Sequence, residues 1–174
     1  MEELRTVIQG TAGTFSYAEG VFRRPLNLFR TLAVAEAITW TLLISALIAR
    51  ALGAAPLLVS IAGLIHGFVF LSYGATAILV AMNNRWGVWP TVVAVASAII
   101  PYATIPTEIW LHRSGRLVGE WRLEATDDPR DAVWIDRLMR WFLARPWVLG
   151  GLILAAVIVL FVVLLIIGPP GGRH

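Results

Sequence analysis

Four polar residues stand inside otherwise apolar stretches of this chain: Glu36, His66, Tyr73 and Tyr102. Each could do chemistry there. A carboxyl within a membrane span is costly when ionised, so it is neutral, paired, or lines a wet cavity. An imidazole bonds through both ring nitrogens and titrates near neutrality. Together they form a candidate intramembrane polar site for protons or a small substrate. The competing reading is structural: an interhelical hydrogen bond that only fixes packing.

Spacing places these residues on helix faces. His66, Phe70 and Tyr73 fall on one stripe at i, i+4 and i+7. Beside it run Ser60, Gly63, Gly67 and Gly74, where Gly63–Gly67 has the GxxxG spacing that lets a second helix approach closely. Ala33, Ala37 and Thr41 repeat at four-residue intervals next to Glu36 and Trp40, a matching surface. Counting along an antiparallel pair sets Glu36 level with Ser72 and Tyr73, and His66 roughly 9 Å deeper. A Glu36–Tyr73 contact is therefore expected. His66 is expected to meet the third segment near Pro101 and Tyr102, where a proline leaves a helix carbonyl free.

The elements that must carry these residues are membrane helices. The chain has 174 residues, 58% hydrophobic and only 14% charged, with the apolar residues in long blocks. Four segments are long enough to cross: 28–52, 55–82, 89–111 and 147–167. The third contains Pro101 and Pro106. Trp86, Trp89, Trp110, Trp141 and Trp147 sit at segment ends, where indoles favour the headgroup region. Asp128 and Pro129 look like a helix start. Over 132–145 the residues Trp134, Ile135, Leu138, Met139, Trp141 and Phe142 oppose Asp136, Arg137 and Arg140, and Asp136–Arg140 has ion-pair spacing. This amphipathic helix lies in the interface or packs on a neighbour.

The expected fold is all-α: a polytopic membrane helical bundle with four hydrophobic segments and one amphipathic helix. It divides into a polar tail (1–27), a three-helix membrane domain (28–113), a polar loop with the amphipathic helix (114–146), and a last helix with a short tail (147–174). Orientation is contradictory if all four segments cross, which is the favoured arrangement. Arg5, Arg23, Arg24 and Arg30 would then lie opposite the loop arginines Arg113 to Arg145, and the positive-inside rule cannot satisfy both. A third segment that turned back at its prolines would put both clusters on one side.

Several functions are excluded. All 14 basic residues are arginine, which explains the high isoelectric point, and no basic stripe suits a nucleic acid. With no cysteine and three scattered histidines, no metal site or cofactor is expected. No hydroxyl has a base-and-orienter set around it, so no catalytic residues are assigned.

The stretches LFRTLAVAEAITWTLL (28–43), GLIHGFVFLSY (63–73) and IPYATIPTEIW (100–110) resemble a family of small bacterial integral membrane proteins catalogued only as a domain of unknown function. Its three helices carry an early glutamate, an I-H-G motif and a proline-aromatic pair, here Glu36, Ile65-His66-Gly67 and Pro101-Tyr102. The resemblance covers about residues 28–113. Because the family also occurs attached to major-facilitator-type transporters, it implies transport or an accessory role. The expectation is a non-enzymatic accessory, assembly or scaffold subunit of the bacterial inner membrane. Its partners would be the lipid bilayer and a larger membrane complex or copies of itself. The alternatives are a small transporter or channel component using Glu36 and His66, then a membrane enzyme.

Overall fold

The structure, a computed structural model, describes residues 24–167. The arginines at 5 and 23 and most of the tail 1–27 lie outside the described residues, as does the end of the chain from 168. The described chain is helical with no strand: α1 (Pro25–Ala51), α2 (Pro56–Asn83), α3 (Val88–Ala96), α4 (Thr104–Arg113), α5 (Trp134–Leu143) and α6 (Pro146–Ile167). It is a polytopic helical membrane bundle. α1 and α2 are both long and apolar enough to cross a membrane. α6, at 22 residues, is about 33 Å long.

Local chemistry sets the helix ends. Pro25, Pro56 and Pro146 each open a helix, where the missing N–H costs nothing. α1 ends at Gly53, whose φ of +98° reverses the chain towards α2. α4 closes the same way at Gly115: Arg116 N donates to Leu111 O and Gly115 N to His112 O. At the end of α2 that left-handed position is taken by Arg85, at φ +52°. An L side chain is strained there, and Arg85 is held by ion pairs to Asp128 and Asp131.

The third hydrophobic segment is not one helix. Pro101 ends its first half, because it has no N–H to continue the ladder. α3 tightens into a 3-10 turn over Ser97–Ile99, and Tyr102 then takes φ +65°. A new helix starts at Thr104, with Pro106 inside its first turn, where proline is tolerated. α4 returns beside α3. The Arg116 carbonyl accepts from Asn84 Nδ2 at 2.6 Å and from Trp86 Nε1 at 2.7 Å, so the two ends of the segment touch. A straight helix over 88–113 would hold them about 39 Å apart. The favoured four crossings are therefore corrected: residues 88–113 form a helical hairpin that returns to the end where it began. Its tip meets α1 at Trp40 and Thr41, about 22 Å from Pro25 along the axis.

The core joins α1, α2 and the hairpin through Phe29, Ala33, Tyr73, Ala77, Val80, Ala94 and Ala98, capped by Leu111 and Leu117. Four alanines among these let the helices approach closely. α6 packs on α2, away from the hairpin core. α5 meets α6 at 95°. Its Met139 is buried, while Trp134, Ile135, Leu138 and Trp141 point outward. An apolar outer face on a helix perpendicular to a span suits the membrane interface.

The polar loop caps the open end of the bundle. Asp131 is buried and accepts from Arg85 (2.9 Å), Arg122 (2.7 Å) and the Thr126 hydroxyl (2.6 Å). Arg122 also donates to the last carbonyls of α2, at Met82 and Asn83. The expected Asp136–Arg140 pair does not form. Arg140 reaches the Asp131 carbonyl and Asp136 lies 3.6 Å from Arg122, because the buried hub holds both arginines on the loop side. Asp128 does cap, but it caps a 3-10 turn over Pro129–Ala132, and α5 begins only after Val133.

Two outcomes follow. In this cysteine-free chain, Gly87→Cys and Ser114→Cys should react with an impermeant maleimide from the same membrane face and Ala54→Cys from the other; labelling of Gly87→Cys and Ser114→Cys from opposite faces would show a crossing segment. The second concerns acid. Thr126, through hydroxyl and backbone N–H, and then Arg122 and Arg85 hold the Asp131 carboxyl at about 2, against an ordinary 3.8. Such a lowered carboxyl contributes fully above about pH 4 and loses its contribution as pH falls through about 2. Protection of the loop 116–131 from proteolysis, probed after acid pulses, should fall over that window. Asp131→Asn should lack the protection at neutral pH, and equal protection in that variant would contradict the assignment.

Candidate functional site

The residues singled out by spacing surround the hairpin tip, but with different partners from those expected. His66 does not reach the third segment. Its Nδ1 lies 3.1 Å from Thr39 Oγ1 on α1, and its ring packs at a tilt against Trp40, with centroids 4.5 Å apart. The free carbonyl near Pro101 exists, at Ala98, and the Trp40 indole N–H takes it at 3.2 Å. Tyr73 bypasses Glu36 and bonds Ser97 Oγ at 3.0 Å. Tyr102 bonds Thr41 Oγ1 at 3.3 Å. The depth estimate placed His66 too far from α1's centre. The two helices are offset by almost one turn relative to that count, which brings Thr39 level with His66.

Three of these contacts share one construction. Thr39 Oγ1 donates to Glu36 O, Thr41 Oγ1 to Ala37 O, and Ser97 Oγ to Ala94 O, each within its own helical segment. A hydroxyl has one proton, so each oxygen then acts as acceptor towards the neighbouring element. Donor identities follow. His66 donates from Nδ1–H, Tyr73 donates its phenol proton to Ser97, and Tyr102 donates to Thr41. Thr104, the first residue of α4, instead sends its proton across to Ala33 O of α1 at 3.0 Å.

Glu36 is left over. It is fully buried, and among the described residues neither carboxyl oxygen has a hydrogen bond of good geometry. The donors nearest it are bonded to other groups, Trp40 to Ala98, Tyr73 to Ser97 and His66 to Thr39, although the Trp40 indole also lies against the carboxyl. The nearby cation is also committed, since Arg30 binds Glu108 at 2.9 Å. An ionised carboxylate is not held without donors at such a depth. No group of side chains among the described residues could hold a metal.

The small-residue face divides. Ala33 is in the core and Ala37 is half-buried. Gly63, Gly67 and Gly74 are half-buried, yet a Cβ on any of them would meet nothing within 4 Å. Among the described residues nothing approaches this stripe closely. What the sequence reading missed is the set of hydroxyls. Thr39, Thr41, Ser97 and Thr104 were legible as hydroxyls within apolar segments, and such residues commonly bridge helices in lipid.

Residues 26–113, half of the chain, match the family described as a domain of unknown function, DUF3817, and the chain belongs to it. The matched region holds α1, α2, the hairpin and every residue of the polar site. A Streptomyces coelicolor protein, provisionally named a membrane protein, is 35% identical over 102 residues. That stretch is 58% of this chain but only 12% of the relative's length. No solved structure matches the chain.

Paired stability measurements test this geometry. Thr39→Val removes the acceptor of His66 and should destabilise the bundle by about 0.6–2 kcal/mol. Glu36→Leu removes a buried acid that lacks a good hydrogen bond, at similar volume, and should leave the detergent melting temperature unchanged or raise it. A marked fall for Glu36→Leu would show a carboxyl that is bonded after all.

Proposed function

We propose that this protein is an accessory module of the inner membrane that docks on a larger membrane protein. The hairpin tip carries the reading. Ile99 and Ile100 are 66% and 61% exposed, and the backbone there is not α-helical. The tip stands about halfway along α1. Non-helical backbone at membrane depth is tolerated only where protein covers it or water fills a cavity. The side chains at the tip are apolar, which favours protein over water. The open glycine stripe on α2 offers a second close-approach surface. The relative supports a large partner, because there the matched region is a small part of a much longer chain described as a membrane protein.

In this reading the chain makes three crossings, α1, α2 and α6, with the hairpin entering and leaving on the cytoplasmic side. Arg30 and the arginines from Arg113 to Arg145 then share that side, and Arg50 lies opposite. This removes the charge conflict that four crossings create.

Purification from native membranes in mild detergent tests the proposal. The chain should elute with one larger membrane polypeptide at fixed stoichiometry. Ile100→Asp and Gly67→Ile should each release that polypeptide while leaving the melting temperature of the isolated chain within about 1 kcal/mol equivalent of the parent. Elution as a monomer, or as an oligomer of this chain alone, would overturn it.

A further inference from the structure

Glu36 and the hairpin tip compete for the same hydrogen-bond donor. Trp40 stands one helical turn from Glu36 on the same face of α1, and its indole N–H, bonded to Ala98 O at the tip, also lies against the Glu36 carboxyl. The second donor beside the carboxyl, Tyr73, is given to Ser97 Oγ, also in the hairpin. The docked tip therefore draws on the donors that a carboxylate at Glu36 would use. The tip also carries strain of its own, since Tyr102 is an aromatic residue held at φ +65° by its bond to Thr41.

We propose that Glu36 is an exchangeable-proton site: a carboxylic acid while the hairpin tip is docked, and a carboxylate bonded to Trp40 once the tip lifts. On lifting, the Trp40–Ala98 bond breaks, water reaches the pocket and takes the carboxyl proton, and the Trp40 N–H turns to the carboxylate. On docking, the proton returns and the indole goes back to Ala98. The other groups around the site do not replace Glu36 in this exchange. On α1, Arg30 is bound to Glu108 of α4. On α2, His66 is tied to Thr39 and Tyr73 to Ser97. At the tip, Tyr102 is tied to Thr41. α6 carries no titratable side chain between Pro146 and Ile167. The ligand is a proton, and the site needs no partner protein, so this inference stands apart from the docking proposal.

The test uses the full chain in proteoliposomes with a single cysteine, Ala98→Cys, at a tip position that docking buries. Its maleimide labelling rate is divided by that of Ala54→Cys in the α1–α2 turn, which cancels the thiol's own pH dependence. In the parent the ratio should rise several-fold as pH increases. In parallel, an infrared carboxylic-acid band should disappear, the band being assigned to Glu36 by its absence from Glu36→Leu. Glu36→Gln should give a low ratio at every pH, and Trp40→Phe a high ratio at every pH. If Glu36→Gln does not fold, Glu36→Leu replaces it with the same expected result. A flat ratio in the parent would overturn the proposal, as would a Glu36→Gln profile that follows the parent or an acid band that does not move with the ratio.

Discussion

A serine or threonine hydroxyl has one proton to give. In the middle of this bundle Thr39, Thr41 and Ser97 give it to a carbonyl of their own helical segment. With that proton committed, each oxygen faces the next element as an acceptor. That restriction orients His66, Tyr73 and Tyr102, and it ties α1 to α2 and to the hairpin. It also leaves the fully buried Glu36 carboxyl with few donors in reach among the described residues.

The hairpin is the larger consequence. Its tip is tied to α1 by the Trp40 indole and by Tyr102, and its base is tied by Asn84 and Trp86 at the Arg116 carbonyl. Between these anchors small residues, Ala94 and Ala98, meet Ala33 and Ala77 in the core. The cap built on Asp131 holds the base closed. It fixes Arg85 in its left-handed conformation and lets Arg122 reach the end carbonyls of α2. Polar loop and intramembrane site are thus opposite ends of one construction.

The helices themselves were legible in the sequence. Apolar length locates α1, α2 and α6 to within a few residues, and the wheel of 132–145 describes α5 with its apolar face. The fold-back was legible only as an alternative. Pro101 and Pro106 are compatible with a kinked span, and what decides is the pair of long-range bonds to Arg116. The site residues were found but wrongly paired. A helix-level count cannot see an offset of one turn, and one turn decides whether His66 meets Thr39 or the third segment. Nor could it see that Tyr73 has a better acceptor in Ser97 than in Glu36. The GxxxG spacing suggested a close-approach surface, but among the described residues the helices meet through alanines and no atom comes within 4 Å of where a Cβ on those glycines would lie.

The most direct test of this account is the tautomer of His66, read from nitrogen-15 chemical shifts and proton couplings of the labelled protein in bilayers. Because the Thr39 proton is committed to Glu36 O, His66 should carry its proton on Nδ1, with Nε2 bare. Thr39→Val should abolish that preference. A proton resident on Nε2 would mean that Thr39 donates to the ring, and the assignment of donors around Glu36 would fail with it.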